Sequence, residues 1–159
     1  MLNYRFATEN DVLLYFKWAN DSDVREQSFN SDEIDIESHK KWFTSKLHDR
    51  CCTLSIFVNE NGDNVGQIRI EKKVDNQAII GISVDEQYRG KGYAKEMLQI
   101  STNEFLKLNK EYVIHAYIKE TNLNSKYAFE KAGFEFKQII IYNNIDSFWY
   151  IKKVKNENR

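Results

Sequence analysis

Apolar residues alternate along some stretches of the chain and recur at three- and four-residue spacing along others, and the two periods divide it into elements. The opening LNYRFA alternates and predicts a strand. Thr8 then stands as a helix N-cap with Asp11 three positions on, and Val12, Leu13, Tyr15, Phe16 and Trp18 supply the apolar positions of the helix. NDSD breaks it at Asn20–Asp23. A second helix is expected near Ile36–Leu47, where His39, Trp42, Phe43 and Leu47 share one face. CTLSIFV reads as a strand with NENGD as its hairpin turn, and VGQIRIEK and NQAIIGISV are the next two strands. From Ala94 the positions Met97, Leu98, Phe105 and Leu108 return to helical spacing. EYVIHAYI is a strand, and LNSKYAFEKAGF a short helix stopped by Gly133 with Phe134 as the apolar contact beyond it. Two last strands, FEFKQIII and DSFWYIKK, flank a turn at Asn143–Asn144.

This order, strand, two helices, three strands, helix, strand, helix, two strands, predicts a mixed α/β fold. Three consecutive strands imply an antiparallel meander. The strand–helix–strand step from IIGISV to YVIHAYI implies a parallel crossover, with helices on both faces of the sheet.

Composition narrows the function classes. A chain of 159 residues is most simply one domain, 1–159, large enough to bury a core. Its 23 basic and 24 acidic residues leave a net charge of -1, which gives nucleic-acid binding no support. The adjacent Cys51 and Cys52 have no metal-type spacing and read as two reduced thiols, so no metal is expected. No apolar run approaches a membrane span, and the N-terminal residues lack a signal-peptide pattern; a cytoplasmic protein with no membrane partner is the expectation. Aromatics at 14% suit either a ligand-lined cleft or a bulky core.

The chain has no proline and six glycines, two of them within SVDEQYRGKGYAKEML at a strand-to-helix junction. Unpaired N–H groups at a helix N-terminus carry partial positive charge and bind anions. Gly90 and Gly92 let backbone approach a phosphate, and Arg89 and Lys91 add positive charge. Neither a nucleotide P-loop nor a G-x-G-x-x-G fingerprint is present. The pattern Arg89-x-x-Gly92-x-Ala94 resembles the R/Q-x-x-G-x-G/A signature of the GNAT acetyltransferases, and NLNSKYAFEKAGF, one strand later, resembles that family's second motif.

The resemblance implies the GNAT fold: a largely antiparallel mixed sheet with a V-shaped splay between strands 4 and 5. It implies acetyl-CoA as co-substrate, wedged in that splay. Backbone of Ile82, Ser83 and Val84 would pair with the pantetheine arm, and an amide near Val84 would polarise the thioester carbonyl. Amides of Gly90, Lys91, Gly92, Tyr93 and Ala94, beside Arg89, would hold the pyrophosphate, and Asn122 would bond the arm. The reaction would be direct acetyl transfer to a primary amine. Phe129 stands where the family often carries a tyrosine acid; Tyr127 is turned about 200° from it on a helix. Ser125, four residues before Phe129, could order a water near the cofactor but is a poor acid. No base is assigned: His115 reads as a core histidine, His39 as a half-buried packing residue or a cleft residue, His48 as a helix-end cation.

The N-terminal half resembles the pattern of bacterial nucleotide-sugar N-acetyltransferases, which acetylate a 4-amino sugar on a nucleoside diphosphate in flagellin and surface-glycan pathways. Trp18, Asn20, Arg25, Ser28, His39 and Trp42 match it: an aromatic face for a sugar or base, an amide for hydroxyls, a guanidinium for a diphosphate. Alternatives are acetylation of protein N-termini, of the ribosomal-protein type, or of polyamines, for which Asp32, Glu33, Asp35 and Glu37 supply carboxylates, and a CoA-binding module with little catalysis. The terminal strands allow a homodimer.

Overall fold

The computed structural model describes residues Met1–Lys155. Its elements run β1 (Asn3–Phe6), α1 (Val12–Ala19), α2 (Ser22–Gln27), α3 (Ile36–His48), β2 (Cys52–Val58), β3 (Asn64–Lys72), β4 (Gln77–Val84), α4 (Tyr93–Leu108), β5 (Val113–Lys119), α5 (Leu123–Lys131), β6 (Glu135–Tyr142) and β7 (Ile145–Lys153), with 3-10 turns at Glu9–Asp11 and Glu86–Tyr88. The expected α/β order is present, with one addition. Where the sequence reading ends a helix at NDSD, the chain turns at Asp21 and starts again as α2, because the Asp21 carboxylate accepts the N–H groups of Asp23 (3.1 Å) and Val24 (3.2 Å). Leu108, expected on the buried stripe of α4, is exposed; Thr102 and Leu106 carry the stripe instead.

The seven strands form one sheet in the order β1-β2-β3-β4-β5-β7-β6, antiparallel except for β4 and β5. Side chains alternate across it. Ile68 and Ile70 of β3, Ile80 of β4 and Ile114 and Ile118 of β5 pack with Met97 and Leu98 of α4 in the larger core. A smaller core on the opposite face joins Tyr15 and Trp18 of α1 and Phe43 of α3 to Leu54 and Ile56 of β2. Arg69, Gly81, His115 and Tyr117, out of phase with the larger core, therefore face the α1–α3 side.

The parallel pairing of β4 with β5 stops at Ile79↔His115. Beyond it β4 runs on against β3 as far as Val84↔Gly66, and β5 runs on against β7 as far as Lys119↔Ser147. The sheet splits there into a V. Gly66 makes the β3 side of that split tight: a Cβ at this position would lie 2.5 Å from the Ser83 carbonyl oxygen and 2.8 Å from Met97 Cε.

Candidate active site

The free edge of β4 is set by the hydrogen-bond alternation of an antiparallel pair. Asp85 N–H donates to the Val65 carbonyl at 2.8 Å, so Ser83 and Gly81 also exchange their backbone bonds with β3. Ile82 and Val84 consequently present their peptide groups to the β5 side, where β5 has already diverged. The Val84 carbonyl accepts from Arg89 Nε at 3.1 Å, which leaves the Val84 N–H and both peptide groups of Ile82 for the gap. Ser83, expected among the backbone contacts to the pantetheine arm, has its backbone turned to β3 instead. Its hydroxyl takes a 2.9 Å bond from Gln67 Nε2 on the α1–α3 face.

Past Val84 the chain enters the glycine loop. Gly90 and Gly92 both sit at φ 78°, a conformation that glycine adopts at little cost, and a Cβ at either would meet nothing within 4 Å. Gly92 is the N-cap of the 16-residue α4 and no side chain caps that end, so the first N–H groups of the helix are open. Arg89 reaches away from these amides: Nη2 donates to Asp21 Oδ1 at 2.8 Å and Nη1 to Asp23 Oδ2 at 3.1 Å. Its guanidinium fastens the loop to α2, where the motif alone implies a phosphate contact. Asp85 fixes the other end, accepting from Trp18 Nε1 at 2.8 Å, from the Gln87 N–H at 2.9 Å and from Lys17 Nζ at 3.4 Å. Burial pushes this carboxyl's pKa up, but those donors outweigh it and hold the group below its usual value. A split parallel pair with free N–H groups, leading into a rigidly tethered glycine loop and an uncapped helix, is an arrangement for an extended ligand ending in phosphates.

The sequence matches the acetyltransferase (GNAT) domain family over residues 2–135. This chain belongs to the GNAT acetyltransferases. No curated protein sequence matches it significantly. Among solved structures it is similar to the aminoglycoside acetyltransferase AAC(6')-Ib in complex with coenzyme A and kanamycin (TM-score 0.81, 18% identity, covering 96% of this chain and 95% of that one). It is similar also to spermidine N-acetyltransferase from Vibrio cholerae in complex with CoA and spermine (0.83, 13%, 94% and 93%) and to an uncharacterized protein from Bacillus halodurans (0.82, 17%, 96% and 83%). At these identities the likeness is one of fold.

In this acetyltransferase the second motif forms the start of α5. Asn122 is the N-cap, its Oδ1 accepting the Ser125 N–H at 3.3 Å, which leaves its Nδ2 without a partner among the described residues. Ser125 is half-buried in the first turn. Phe129 is only 3% exposed and packs edge-on against Phe134 at 4.9 Å, so it belongs to the larger core and not to the cofactor surface on which it was expected. The exposed Tyr127 lies on another side of the same helix.

Of the residues matched to a nucleotide-sugar site, five hold the α1–α3 corner together. Trp18 is buried and donates to Asp85. Asn20 donates to the Ile34 carbonyl (2.7 Å) and accepts the Ile34 N–H (2.8 Å). Arg25, expected to grip a diphosphate, has its fork filled by the carbonyls of Ala19, Asn30 and Asp32 and by the Ser28 hydroxyl. Ser28 in turn donates to the Val24 carbonyl. His39 is 1% exposed, with Nε2 donating to the Val12 carbonyl at 2.9 Å, and burial lowers its pKa. Trp42, the sixth, is half-buried beside the smaller core, with the Arg69 guanidinium 5.6 Å from its ring centre.

Apart from His115, the side chains that line the α1–α3 face of the V were not singled out in the sequence. Tyr117 and Tyr142 stack at 4.1 Å and 3°, and Phe29 stands edge-on to Tyr142 at 4.8 Å. His115, at the apex where β4 and β5 part, stacks on Trp149 at 5.7 Å. Its Nδ1 accepts from Trp149 Nε1 at 2.9 Å and its Nε2 bonds Gln77 Oε1, so the ring is held neutral as the Nε2–H tautomer; burial lowers its pKa. With both nitrogens engaged, this imidazole is no free base. The pattern that would have found the aromatic shelf is the alternation HxY in β5 together with the paired register Tyr117↔Trp149.

Proposed function

We propose that this acetyltransferase moves the acetyl group of acetyl-CoA to the primary amine of an amino sugar, of the kind carried on a nucleotide. The observation that carries the reading is the row of free peptide N–H groups from Ile82 and Val84 to the uncapped start of α4. Acetyl-CoA, when bound, supplies an activated acyl thioester. The backbone of Ile82 and Val84 orients its arm, and the Val84 N–H donates to the developing oxyanion. Amides of Gly90 to Ala94 hold the pyrophosphate, and Asn122 Nδ2 donates to the arm. Lys91 sits exposed beside that cradle. Ser125 would hold a water near the departing sulfur; a thiol with a pKa of about 8.5 leaves as thiolate without a side-chain acid, and the proton that the amine gives up would pass to solvent water.

For the acceptor, the stacked shelf of Tyr117, Tyr142 and Trp149 offers flat apolar area to the C–H face of a sugar ring. A polyamine acceptor is the second reading, supported by the exposed carboxylates of Asp32 and Glu33 on the loop after α2. Calorimetry with acetyl-CoA followed by mass spectrometry on a panel of amines tests both. Acetylated amino sugars support the first, acetylated spermidine or peptides would replace it, and no heat with acetyl-CoA overturns the enzyme reading for this chain.

A further inference from the structure

Resting on that acetyl-transfer reading, we infer that Arg69 is the specificity-determining residue of the acceptor site, and that it recognises an anionic oxygen pair, phosphate or carboxylate, carried by the amine substrate. Arg69 lies in β3 directly opposite Gly81, the second β4 residue past the end of the β5 pairing, so it stands beside the apex of the V on the α1–α3 face. Its guanidinium has two close neighbours. The Trp42 ring centre is 5.6 Å from Cζ, and a Cβ built on Gly81 would come within 3.2 Å of Nη2. This restricts the fork's rotation without occupying its donors. Nε is held by Glu71 at 2.8 Å, while Nη1 and Nη2 have no hydrogen-bond acceptor among the described residues, and the side chain remains 31% exposed. Burial raises the pKa of the Glu71 carboxyl, but its cations outweigh that and hold it ionised.

The charge balance around this fork is positive. Glu71 is shared by Arg69, Lys46 (3.0 Å) and Lys73 (3.2 Å), one carboxylate against three cations. The ring against it, Trp42, is neutral, and so is His39, whose ring lies 6.0 Å from that of Trp42. Beside it the Gln67 Oε1 is buried with no partner, next to the Ser83 hydroxyl that its Nε2 holds. A preorganised, incompletely neutralised fork matches a planar pair of anionic oxygens in two parallel hydrogen bonds. The same charge disfavours an acceptor that is a polycation. The orphan Gln67 oxygen adds an acceptor for a hydroxyl or amine hydrogen.

The test compares kcat/KM of the full chain for a free 4-amino-4-deoxyhexose, its 1-phosphate, its uronate and spermidine. The phosphate or the uronate is expected to exceed the free sugar roughly tenfold to a hundredfold through KM, and which of the two leads identifies the source of the charge. Arg69→Met is expected to erase that ratio, and Arg69→Lys to restore only part of it because an ammonium has no fork. Equal rates on charged and free sugars, a lead for spermidine, or a ratio that survives in folded Arg69→Met overturns the inference. If Arg69→Met does not fold, the wild-type ratios and Arg69→Lys still decide. If no sugar is acetylated, calorimetry of the 1-phosphate and the uronate on CoA-loaded protein decides, and absence of binding by both overturns it. Failure of acetyl-CoA itself to bind is a separate result, which removes the acetyl-transfer reading.

Discussion

At the β4–α4 junction the groups that face the gap are peptide N–H groups, placed by register and by two glycines in left-handed conformations. In the corner made by α1, α2 and α3, five polar or aromatic side chains that look chemically able face other parts of the chain instead. The two regions are joined by Arg89 and Asp85, which belong to the first and bond to the second. The contrast separates two ways of building half a site. One half presents backbone, which any residue of suitable conformation can supply. The other uses its side chains as braces, so that a different set on the neighbouring sheet face is left open to solvent.

The largest effect that separates the halves is expected from Gly92→Val. A β-branched residue at φ 78° costs about 1–2 kcal/mol of backbone strain and places methyls over the open amides of α4. Acetyl-CoA affinity should fall on the order of a hundredfold while the acceptor KM stays within about twofold. Calorimetry and initial rates check this, and equal losses for both substrates would mean that the loop serves the two halves alike.

Next in size is Arg89→Met, which cuts the tether to Asp21 and Asp23 and frees the Val84 carbonyl. If the guanidinium is a brace, acetyl-CoA affinity drops about tenfold, and Asp21→Asn reproduces much of the loss by weakening the same tether from the other side. Asp21 is held below its usual pKa, burial raising it and Arg89 with the α2 amides lowering it further. A phosphate ligand would behave otherwise, with Arg89→Met severe and Asp21→Asn neutral or favourable. Titrations of the two variants distinguish them.

Acid should loosen the α1–α3 side of the sheet through its histidines. Burial lowers the pKa of both His39 and His115 below the ordinary 6.5, so the unfolded chain binds more protons between that value and the lowered one. Stability is then constant above about pH 6.5 and declines as pH falls through the window beneath it. Urea midpoints at pH 7.5 and 5.5 measure the slope. His39→Gln, which keeps a donor for the Val12 carbonyl, should flatten part of it. A slope of the opposite sign would mean that the imidazoles are charged in the folded protein.

The β4–α4 half was legible because its determinants are local. Alternation gives β4, a break gives the loop, and Gly90 and Gly92 with an apolar stripe from Met97 give α4. The corner was not legible. Arg25 and Asn20 look like ligands until loop carbonyls five to fourteen residues away fill them. The six residues of α2 have no apolar period of their own and rest on the Asp21 cap and the Arg89 bridge. The aromatic shelf depends on β7 inserting between β5 and β6, and the free fork of Arg69 depends on glycine standing opposite it; both are matters of pairing, which no single segment announces.

Phe129→Tyr gives the smallest effect on rate and the sharpest test of where the acceptor chemistry ends and the core begins. If the missing tyrosine acid limits acetyl transfer, restoring the hydroxyl should raise kcat severalfold. The packing argues against this. The ring at position 129 is buried against Phe134 within the larger core, and the nearby Tyr150 hydroxyl already holds Glu130 Oε2 at 2.6 Å. A hydroxyl added there has no vacant partner among the described residues, so it should cost about 1–3 kcal/mol in urea-measured stability and change kcat by less than about twofold. A gain in rate accompanied by a basic limb in the pH profile would show that α5 moves enough to bring position 129 into the V, and the boundary between core and site would have to be drawn one helical turn closer to Lys131.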